Sequence, residues 1–137
     1  MNDKETIYNR ILESFNKQTF MGLIGAKLEY VEYGKVSVSC ENRKDLSQQH
    51  GFLHGGVIMS IADICGGYAA LSVLPKNCEV VTVELKISLL RPVTSDKIIG
   101  VGTVIKAGKN LIVVDATIND RENKIVAKML ATMYKTK

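Results

Sequence analysis

A histidine, two glycines and a carboxylate are spaced in a way that suits hydrolysis of an acyl compound. His54-Gly55-Gly56 directly precedes an apolar run from Val57 to Leu74, and Asp63 is the one charged residue in that run. A helix that starts at these glycines offers free backbone N–H groups and the positive end of its dipole to a ligand oxygen. Asp63 follows about two and a half turns later. An oxyanion site and a carboxylate on one helix indicate acyl hydrolysis.

The apolar run predicts a buried helix, because a helix that is apolar on all sides is shielded from water. An ionised carboxylate is costly to bury alone, so Asp63 needs either a chemical role or a charged or hydrogen-bonding neighbour. The run is also long enough to be considered as a membrane span. The central carboxylate and the strand-like segments elsewhere argue against a span, and we expect none.

The composition favours one domain and a small-molecule partner. The chain has 137 residues, 46% of them hydrophobic, which is enough for a real core. A net charge of +4 favours an anionic partner, but the basic residues are scattered, so a phosphorylated small molecule explains the charge as well as nucleic acid does. We expect no nucleic-acid partner. The segment from Met1 to Glu5 is polar with no apolar stretch behind it, which predicts no signal peptide and a cytoplasmic protein.

The cysteines do not predict a disulfide framework or a thiolate zinc site. Cys40, Cys65 and Cys78 form no CxxC pair and have an odd count, so reduced and mostly buried thiols are expected. A Cys-His nucleophile pair is disfavoured, because Cys65 lies two positions from Asp63 and projects to a different side of the helix.

A metal site is poorly supported as well. His50 and His54 are the only imidazoles, although these two and Asp63 could in principle meet. Glycine-rich phosphate loops of the P-loop or dinucleotide type are absent from the sequence. We expect no metal.

The first part of the chain predicts a helix followed by two strands. Apolar positions recur every four residues behind a possible cap at Asp3: Ile7, Ile11 and Phe15. Two glycines break this helix within residues 20–25. A strand over 26–33 then turns at Gly34 into a second strand over 35–40, and a polar loop over 41–49 leads to the central helix.

The second part of the chain changes to a period of two from Glu79 onward. Five apolar residues alternate with polar ones: Val81, Val83, Leu85, Ile87 and Leu89. They predict a long strand with one buried face. Strands over 97–106, 111–119 and 124–134 follow, and Gly100 and Gly102 allow a bend or close packing in the first of them. We predict an α+β fold, a single domain over residues 1–137 with an antiparallel sheet curled around the apolar helix.

These residues resemble a known family. The pattern Gln48-x-x-Gly51-x-x-His54-Gly55-Gly56, with Asp63 nine positions after the histidine, is similar to that of the hotdog-fold acyl-CoA thioesterases of the phenylacetate-pathway and 4-hydroxybenzoyl-CoA type. The segment from Thr82 to Pro92 matches their long strand. The resemblance implies a hotdog fold, with a curved antiparallel sheet around one long central helix and here a short N-terminal helix. It also implies an acyl-CoA hydrolase that forms a homodimer, or a homotetramer as a dimer of dimers. No cofactor is implied, since coenzyme A is part of the substrate.

The resemblance implies catalytic roles at five positions. The backbone N–H of Gly55 would polarise the thioester carbonyl. Asp63, supplied by the opposite subunit of a dimer, would act as general base or as nucleophile. Gln48 would contact the thioester oxygen or fix the loop, and His54 would orient the loop or the thioester. Thr82 falls where relatives place a hydroxyl that holds the attacking water.

Two departures from the family pattern concern the subgroup. Many relatives carry Asn at the position of Gln48. Some relatives with Gln there have Glu as the base and Ser or Thr four residues later, where this chain has Asp63 and Gly67. The water-holding role is therefore assigned to Thr82.

Each of these residues also has a structural interpretation. Asp63 could be a hydrogen-bonded carboxylate at a subunit interface, and His54 a satisfied structural histidine. Gly55 and Gly56 could permit tight packing, while Thr82 could be an ordinary polar-face residue. A non-catalytic acyl-CoA binding or sensing module of the same fold is the alternative function.

The rest of the substrate is expected to contact a second set of residues. Gly56 lies beside the thioester, and an apolar acyl pocket is expected to include Met59 or Tyr68. The phosphates of coenzyme A are assigned to basic residues, for which exposed and merely solvated side chains are the alternative: Arg91, Lys106 and Lys109.

Overall fold

The computed structural model describes residues 3–137, so the predicted polar N-terminus lies partly outside the described residues, at Met1 and Asn2. The helices are α1 (Asp3–Asn16), α2 (Thr19–Ile24) and α3 (Gly55–Ser72). The strands are β1 (Ala26–Glu32), β2 (Lys35–Glu41), β3 (Glu79–Leu89), β4 (Lys97–Ala107), β5 (Leu111–Asp120) and β6 (Ile125–Thr136). A single 3-10 turn, Lys44–Leu46, interrupts the predicted loop before α3.

The strands form one six-stranded sheet in the order β1-β2-β4-β5-β6-β3, and all neighbouring strands are antiparallel. Helix α3 lies against the inner face of this sheet, with most of its contacts to β4, β2 and β5. The sheet and α3 together bury the core, because each shields the apolar face of the other from water. The predicted α+β architecture is confirmed.

Glycines in β4 allow α3 to approach the sheet closely. A Cβ atom added at Gly102 would lie 2.3 Å from the backbone carbon and oxygen of Cys65, a distance that real side chains do not reach. At Gly100 an added Cβ would meet the Cys65 sulfur at 2.9 Å. The predicted role of these two glycines in close packing is therefore confirmed: the helix backbone occupies the side-chain space at Gly102, and core side chains occupy it at Gly100.

Two strands with the same sequence period differ in burial. In β5 the predicted inner face is fully buried at Ile112, Val114, Ala116 and Ile118. In β3 the predicted buried face is formed only in part: Leu85 and Ile87 are partly buried and pack against the core, whereas Val81 is 54% exposed, Val83 57% and Leu89 50%. Strand β3 is an edge strand paired only with β6, and an irregularity between Thr82 and Glu84 shifts its register. Within residues 3–137, more than half of each valine is therefore left uncovered.

The N-terminal region contains one more helix than predicted. Residues 20–25 were expected only to break the first helix, but residues 19–24 form the short helix α2. Gly25 ends it with φ of 76°, a left-handed conformation that glycine adopts without steric cost. Gly25 thus separates α2 from β1, whereas the break between α1 and α2 falls at Lys17 and Gln18.

Arg10 joins α1 to the far end of α3. Its guanidinium donates hydrogen bonds to the carbonyl oxygens of Leu71, Leu74 and Cys78. These carbonyls belong to the unpaired end of a helix and the turn after it, where a cation is stabilised by the helix dipole. Helix α1 is therefore anchored where α3 ends.

Helix α3 is the one helix within residues 3–137 that is long and apolar enough to cross a membrane by composition alone, and 61% of it is buried inside the fold. The sheet accounts for its apolar character. It is the core helix that the sequence predicts.

Candidate active site

The start of α3 presents one backbone N–H without a partner. His54 is the N-cap, and its Nδ1 accepts a hydrogen bond of 2.7 Å from the Gly56 N–H. The His54 carbonyl accepts from Val57. No acceptor for the Gly55 N–H is found within residues 3–137. The Gly55 N–H is therefore the donor that α3 offers to a ligand oxygen.

The geometry of His54 also fixes how its ring is protonated when neutral. Because Nδ1 accepts a hydrogen bond, the proton of the neutral ring is on Nε2. His54 thus orders the start of the helix, as the structural interpretation expected, and it keeps one N–H donor for a ligand.

Gln48 holds the loop that precedes α3. Its side-chain oxygen accepts hydrogen bonds from the backbone N–H groups of His50 at 2.6 Å and Phe52 at 3.2 Å. Gly51 completes the turn with φ of 86°. Of the two roles expected for Gln48, fixing the loop is the one that these contacts support.

Asp63 and Thr82 are brought together between α3 and β3. The Thr82 hydroxyl donates a 2.7 Å hydrogen bond to Oδ1 of Asp63, and the Met133 sulfur lies 3.3 Å from the same hydroxyl oxygen. Asp63 is half-buried, although the sequence predicted a buried carboxylate. The helix is buried on most sides, but the face that carries Asp63 is open. The sequence analysis expected a charged or hydrogen-bonding neighbour for Asp63, and Thr82 is such a neighbour.

One face of α3 carries residues at intervals of four. Gly55, Met59, Asp63 and Gly67 are each partly or largely accessible, whereas the positions on one side of them, Ile58, Ala62 and Gly66, are buried. A Cβ added at Gly67 would meet no atom within 4 Å, so this glycine leaves open space beside the carboxylate. We call this line of four residues the open stripe.

A groove of about 240 Å³ lies beside Asp63, between α3, β3 and the C-terminal part of α1. Tyr68, expected in an acyl pocket, lines it together with Thr82 and Gly67. Met59, also expected there, does not line the groove and lies one turn before Asp63. A second cavity of about 520 Å³ lies on the other side of the helix start and is bordered by His54 and Gly56.

The oxyanion donor and the carboxylate of one chain are too far apart to act on the same carbonyl. Gly55 and Asp63 are separated by about 12 Å along the helix axis, whereas a reacting carbonyl must lie within about 3 Å of both groups. Gly55 and Asp63 also face different positions along β3. The Leu89 side chain covers Gly55, at 2.9 Å from the position of an added Cβ, while Asp63 contacts Thr82. Within one chain, therefore, these two groups cannot reach a single carbonyl.

The three basic residues expected to bind phosphate are not brought together in one chain. Val81 and Leu111 both pair with Tyr134, so the turn that carries Lys106 and Lys109 lies where β3 begins. Arg91 follows the other end of β3. The two groups are thus separated by the length of that strand.

Thiol and metal chemistry have no support at this site. The three cysteines are free and buried, as predicted. Complete burial raises the pKa of the Cys65 thiol to about 12, which keeps it protonated and unreactive. Within residues 3–137 there is no group of three His, Cys, Asp or Glu side chains able to hold a metal ion, so His50, His54 and Asp63 do not meet.

Sequence reasoning missed Ser14 and Gln18, which line the groove, and Leu89, which lies beside Gly55 at the helix start. Ser14 belongs to α1, and Gln18 directly precedes α2. No motif marks the first two, which lie about fifty positions from Tyr68 in the chain. The one sequence signal is the four-residue interval between Ser14 and Gln18, which is the spacing of side chains on one face of a helix.

Known proteins resemble this chain in sequence and in fold. The family model described as "Thioesterase superfamily" matches residues 50–127. A Saccharolobus solfataricus protein that is provisionally named an esterase is 35% identical over 111 residues, which cover 81% of this chain and 79% of that protein. A crystal structure of a thioesterase family protein from Silicibacter pomeroyi is 32% identical, with a TM-score of 0.88 over 92% of this chain and 95% of that one.

A third similar structure concerns the fold alone. The E. coli PaaI protein from the phenylacetic acid degradation operon has a TM-score of 0.92 over 99% of this chain and 97% of its own, at 20% identity. Together with the family match, this likeness confirms the predicted hotdog fold.

Proposed function

The chain belongs to the thioesterase superfamily, and we propose that it hydrolyses acyl-CoA thioesters to a free acid and coenzyme A. Family membership supports a hydrolase that acts on thioesters. The observation that carries the proposal is the Asp63–Thr82 pair in an open groove, since a carboxylate held at 2.7 Å by a hydroxyl is ready to act on water or on a carbonyl carbon.

Asp63 acts as general base or as nucleophile. In the first scheme its second oxygen, Oδ2, takes a proton from water while the water oxygen attacks the thioester carbon. In the second scheme the carboxylate attacks the carbon itself, and water then hydrolyses the resulting anhydride. Thr82 fixes the carboxylate in either scheme, and its oxygen can accept a hydrogen bond from the attacking water. The sulfur of coenzyme A leaves as a thiolate and is protonated.

The Gly55 N–H stabilises the negative charge that develops on the carbonyl oxygen. It is unpaired within residues 3–137 and points from the positive end of α3. The neutral His54 ring offers its Nε2 hydrogen nearby. Gln48 acts on this donor indirectly, by holding the loop that delivers the helix start.

The complete site requires two protomers, because Gly55 and Asp63 of one chain cannot reach the same carbonyl. Strand β3 is the natural contact: it is an eleven-residue edge strand with Val81 and Val83 more than half exposed. An unpaired apolar edge of this kind is a template for another strand. Antiparallel pairing of two β3 strands near their midpoints places Gly55 of one protomer beside Asp63 of the other. We propose a homodimer on this contact, alone or doubled into a tetramer.

Antiparallel pairing of two β3 strands also brings together the basic residues expected to bind phosphate. Arg91 follows the end of β3, and Lys106 and Lys109 lie near its beginning. Antiparallel pairing therefore places Arg91 of one protomer at the end of the strand where Lys106 and Lys109 of the other are found. We propose that these residues hold the phosphates of coenzyme A. The free thiols fit a reducing cytoplasm, and the scheme requires no cofactor.

The deciding experiment removes the Gly55 backbone N–H by substitution and measures thiol release from a panel of short, long and aromatic acyl-CoA esters. Gly55 is the first helical residue, where proline is well tolerated, and His54 already has the extended backbone that a following proline requires. Gly55→Pro thus removes the N–H, and Gly55→Ala is the control that keeps it. We expect Gly55→Pro to lower turnover by about 10²–10³ relative to Gly55→Ala.

Mixing two inactive variants tests the shared site. In a hybrid dimer of Gly55→Pro and Asp63→Asn subunits, one of the two composite sites retains both groups. After unfolding and refolding together at equal amounts, the mixture should recover about one quarter of wild-type activity. No recovery contradicts the two-protomer site. If no ester releases thiol but coenzyme A derivatives still bind, the protein is a binding or sensing module.

A further inference from the structure

Two cavities meet at helix α1, on opposite sides of the same small group of residues. The groove beside Asp63 has a volume of about 240 Å³, and a larger cleft of about 660 Å³ lies between α1 and the end of α3. Ser14 and Glu79 border both cavities. The side chains at this boundary therefore decide whether the groove is closed or continues into the cleft.

The boundary is held by hydrogen bonds between two helices. The Gln18 side-chain amide donates to the Tyr68 hydroxyl at 2.7 Å, and the Ser14 hydroxyl lies 2.9 Å from the same oxygen. The Tyr68 ring is 4% exposed and packs against Phe15, with ring centroids 6.2 Å apart. We call Ser14, Gln18 and Tyr68 the end wall. Because Tyr68 is fixed in the core, the side chains of Ser14 in α1 and of Gln18, which directly precedes α2, are the movable part of the wall.

We propose that the end wall limits the acyl group to a short, uncharged chain, an inference that rests on the proposed acyl-CoA hydrolysis. A volume of 240 Å³ holds about eight water-sized groups, at roughly 30 Å³ each. A longer chain meets the end wall before its thioester reaches Asp63.

The charges around the groove exclude a second carboxylate on the acyl group. The charged residues that line it within residues 3–137 are Asp63 and Glu79, both acidic. No lysine or arginine of that range lines the groove. An acyl group with its own carboxylate would face like charges at short distance, which is unfavourable in a partly desolvated site.

The test compares chain length in catalysis and in binding. Wild type is assayed with saturated acyl-CoA esters of two to sixteen carbons, and its affinity is measured for S-alkyl-CoA thioethers of the same lengths, which cannot be hydrolysed. The double variant Ser14→Ala/Gln18→Ala removes the α1 side of the wall and leaves the core intact. Tyr68→Phe keeps the ring and removes the hydroxyl, and Asn16→Ala on the same helix is the control.

We expect wild type to lose both kcat/KM and thioether affinity once the chain exceeds about eight carbons. The double variant should raise the ratio of kcat/KM for the longest esters to kcat/KM for short esters by about tenfold or more, since each added methylene that finds room is worth about that factor. Tyr68→Phe should shift the limit in the same direction, and Asn16→Ala should match wild type. A succinyl-type ester should be a poor substrate of every variant.

The outcomes separate this inference from the proposed function. If the double variant and wild type have the same length profile in both measurements, the end wall does not set the limit. If wild type binds long and short thioethers equally well, there is no limit to explain. If thioethers show the limit and its shift while no ester is hydrolysed, the length limit stands and the proposed hydrolysis is wrong.

Discussion

The two sides of α3 use glycine in opposite ways. On the sheet side, the space where a side chain of Gly102 would lie is filled by the helix backbone, and that of Gly100 is filled by side chains of the core. On the open stripe, Gly67 has no side chain and the space beside it is empty. The sheet side is therefore where a single methyl group should cost stability, and the open stripe is where it should change function.

The largest expected effect concerns the carboxylate of the open stripe. Asp63→Asn keeps an oxygen that can accept from Thr82, so stability should change little, while turnover should fall by about 10² or more. That loss corresponds to about 2.7 kcal/mol of transition-state stabilisation. Steady-state thiol release and urea unfolding measure the two quantities. Asp115→Asn on the outer face of the sheet is the control, and an active Asp63→Asn enzyme would remove Asp63 from the mechanism.

The next effect is on the sheet side. Gly102→Ala places a methyl group 2.3 Å from the Cys65 backbone, and the helix must move away to admit it. We expect a loss of about 1–3 kcal/mol in the free energy of unfolding. Gly22→Ala, where an added Cβ meets nothing within 4 Å, calibrates the same substitution without a clash. Equal stability of the two variants would show that the close contact with β4 is not a constraint.

A smaller effect of opposite sign is expected at Gly67. Gly67→Ala adds a methyl group to open space in a helix interior, which should raise the free energy of unfolding by about 0.5–1 kcal/mol. The same methyl narrows the groove beside Asp63 and should lower kcat/KM. Chemical unfolding together with thiol-release kinetics tests both parts. A less stable variant would contradict the contrast between the two sides of the helix.

The smallest effect concerns Cys65 on the sheet side of α3, whose thiol should not be alkylated in the folded protein. The pKa of the Cys65 thiol is raised to about 12 by burial, so only about 10⁻⁴ of it is thiolate at pH 8. Iodoacetamide at pH 8 should leave Cys65 unmodified in the folded protein and alkylate it rapidly in denaturant, as read by peptide mass spectrometry. Rapid modification of the folded protein would show that α3 separates from the sheet.

Sequence periodicity predicted the positions of the helices and strands well, and it predicted the burial of their faces less well. The alternation in β5 and in β3 is equally clear, yet the face is fully buried in β5 and only partly buried in β3. A period of two shows which side chains share a face, and it does not show whether another layer lies over that face. The edge position of β3 and the register shift after Thr82 depend on the sheet order, which no local pattern encodes.

Some residues of the candidate site could be predicted from the sequence, and others could not. Gly55 and Asp63 stand out in the sequence because glycines at a helix start and a carboxylate in an apolar helix are unusual in themselves. Ser14 and Gln18 do not stand out, since polar residues on a surface helix are ordinary. Their contact with Tyr68 joins residues about fifty positions apart, and only the tertiary fold brings them together.

The bond from Arg10 to the end of α3 has a consequence for the order of folding. Helix α1 is synthesised before α3, and the carbonyls that Arg10 binds are 61 to 68 positions further along the chain. Contacts of such sequence separation form late, because a long loop must close before they are made. During synthesis α1 therefore waits for Cys78 to emerge, and the boundary that it supplies to the groove is completed only then.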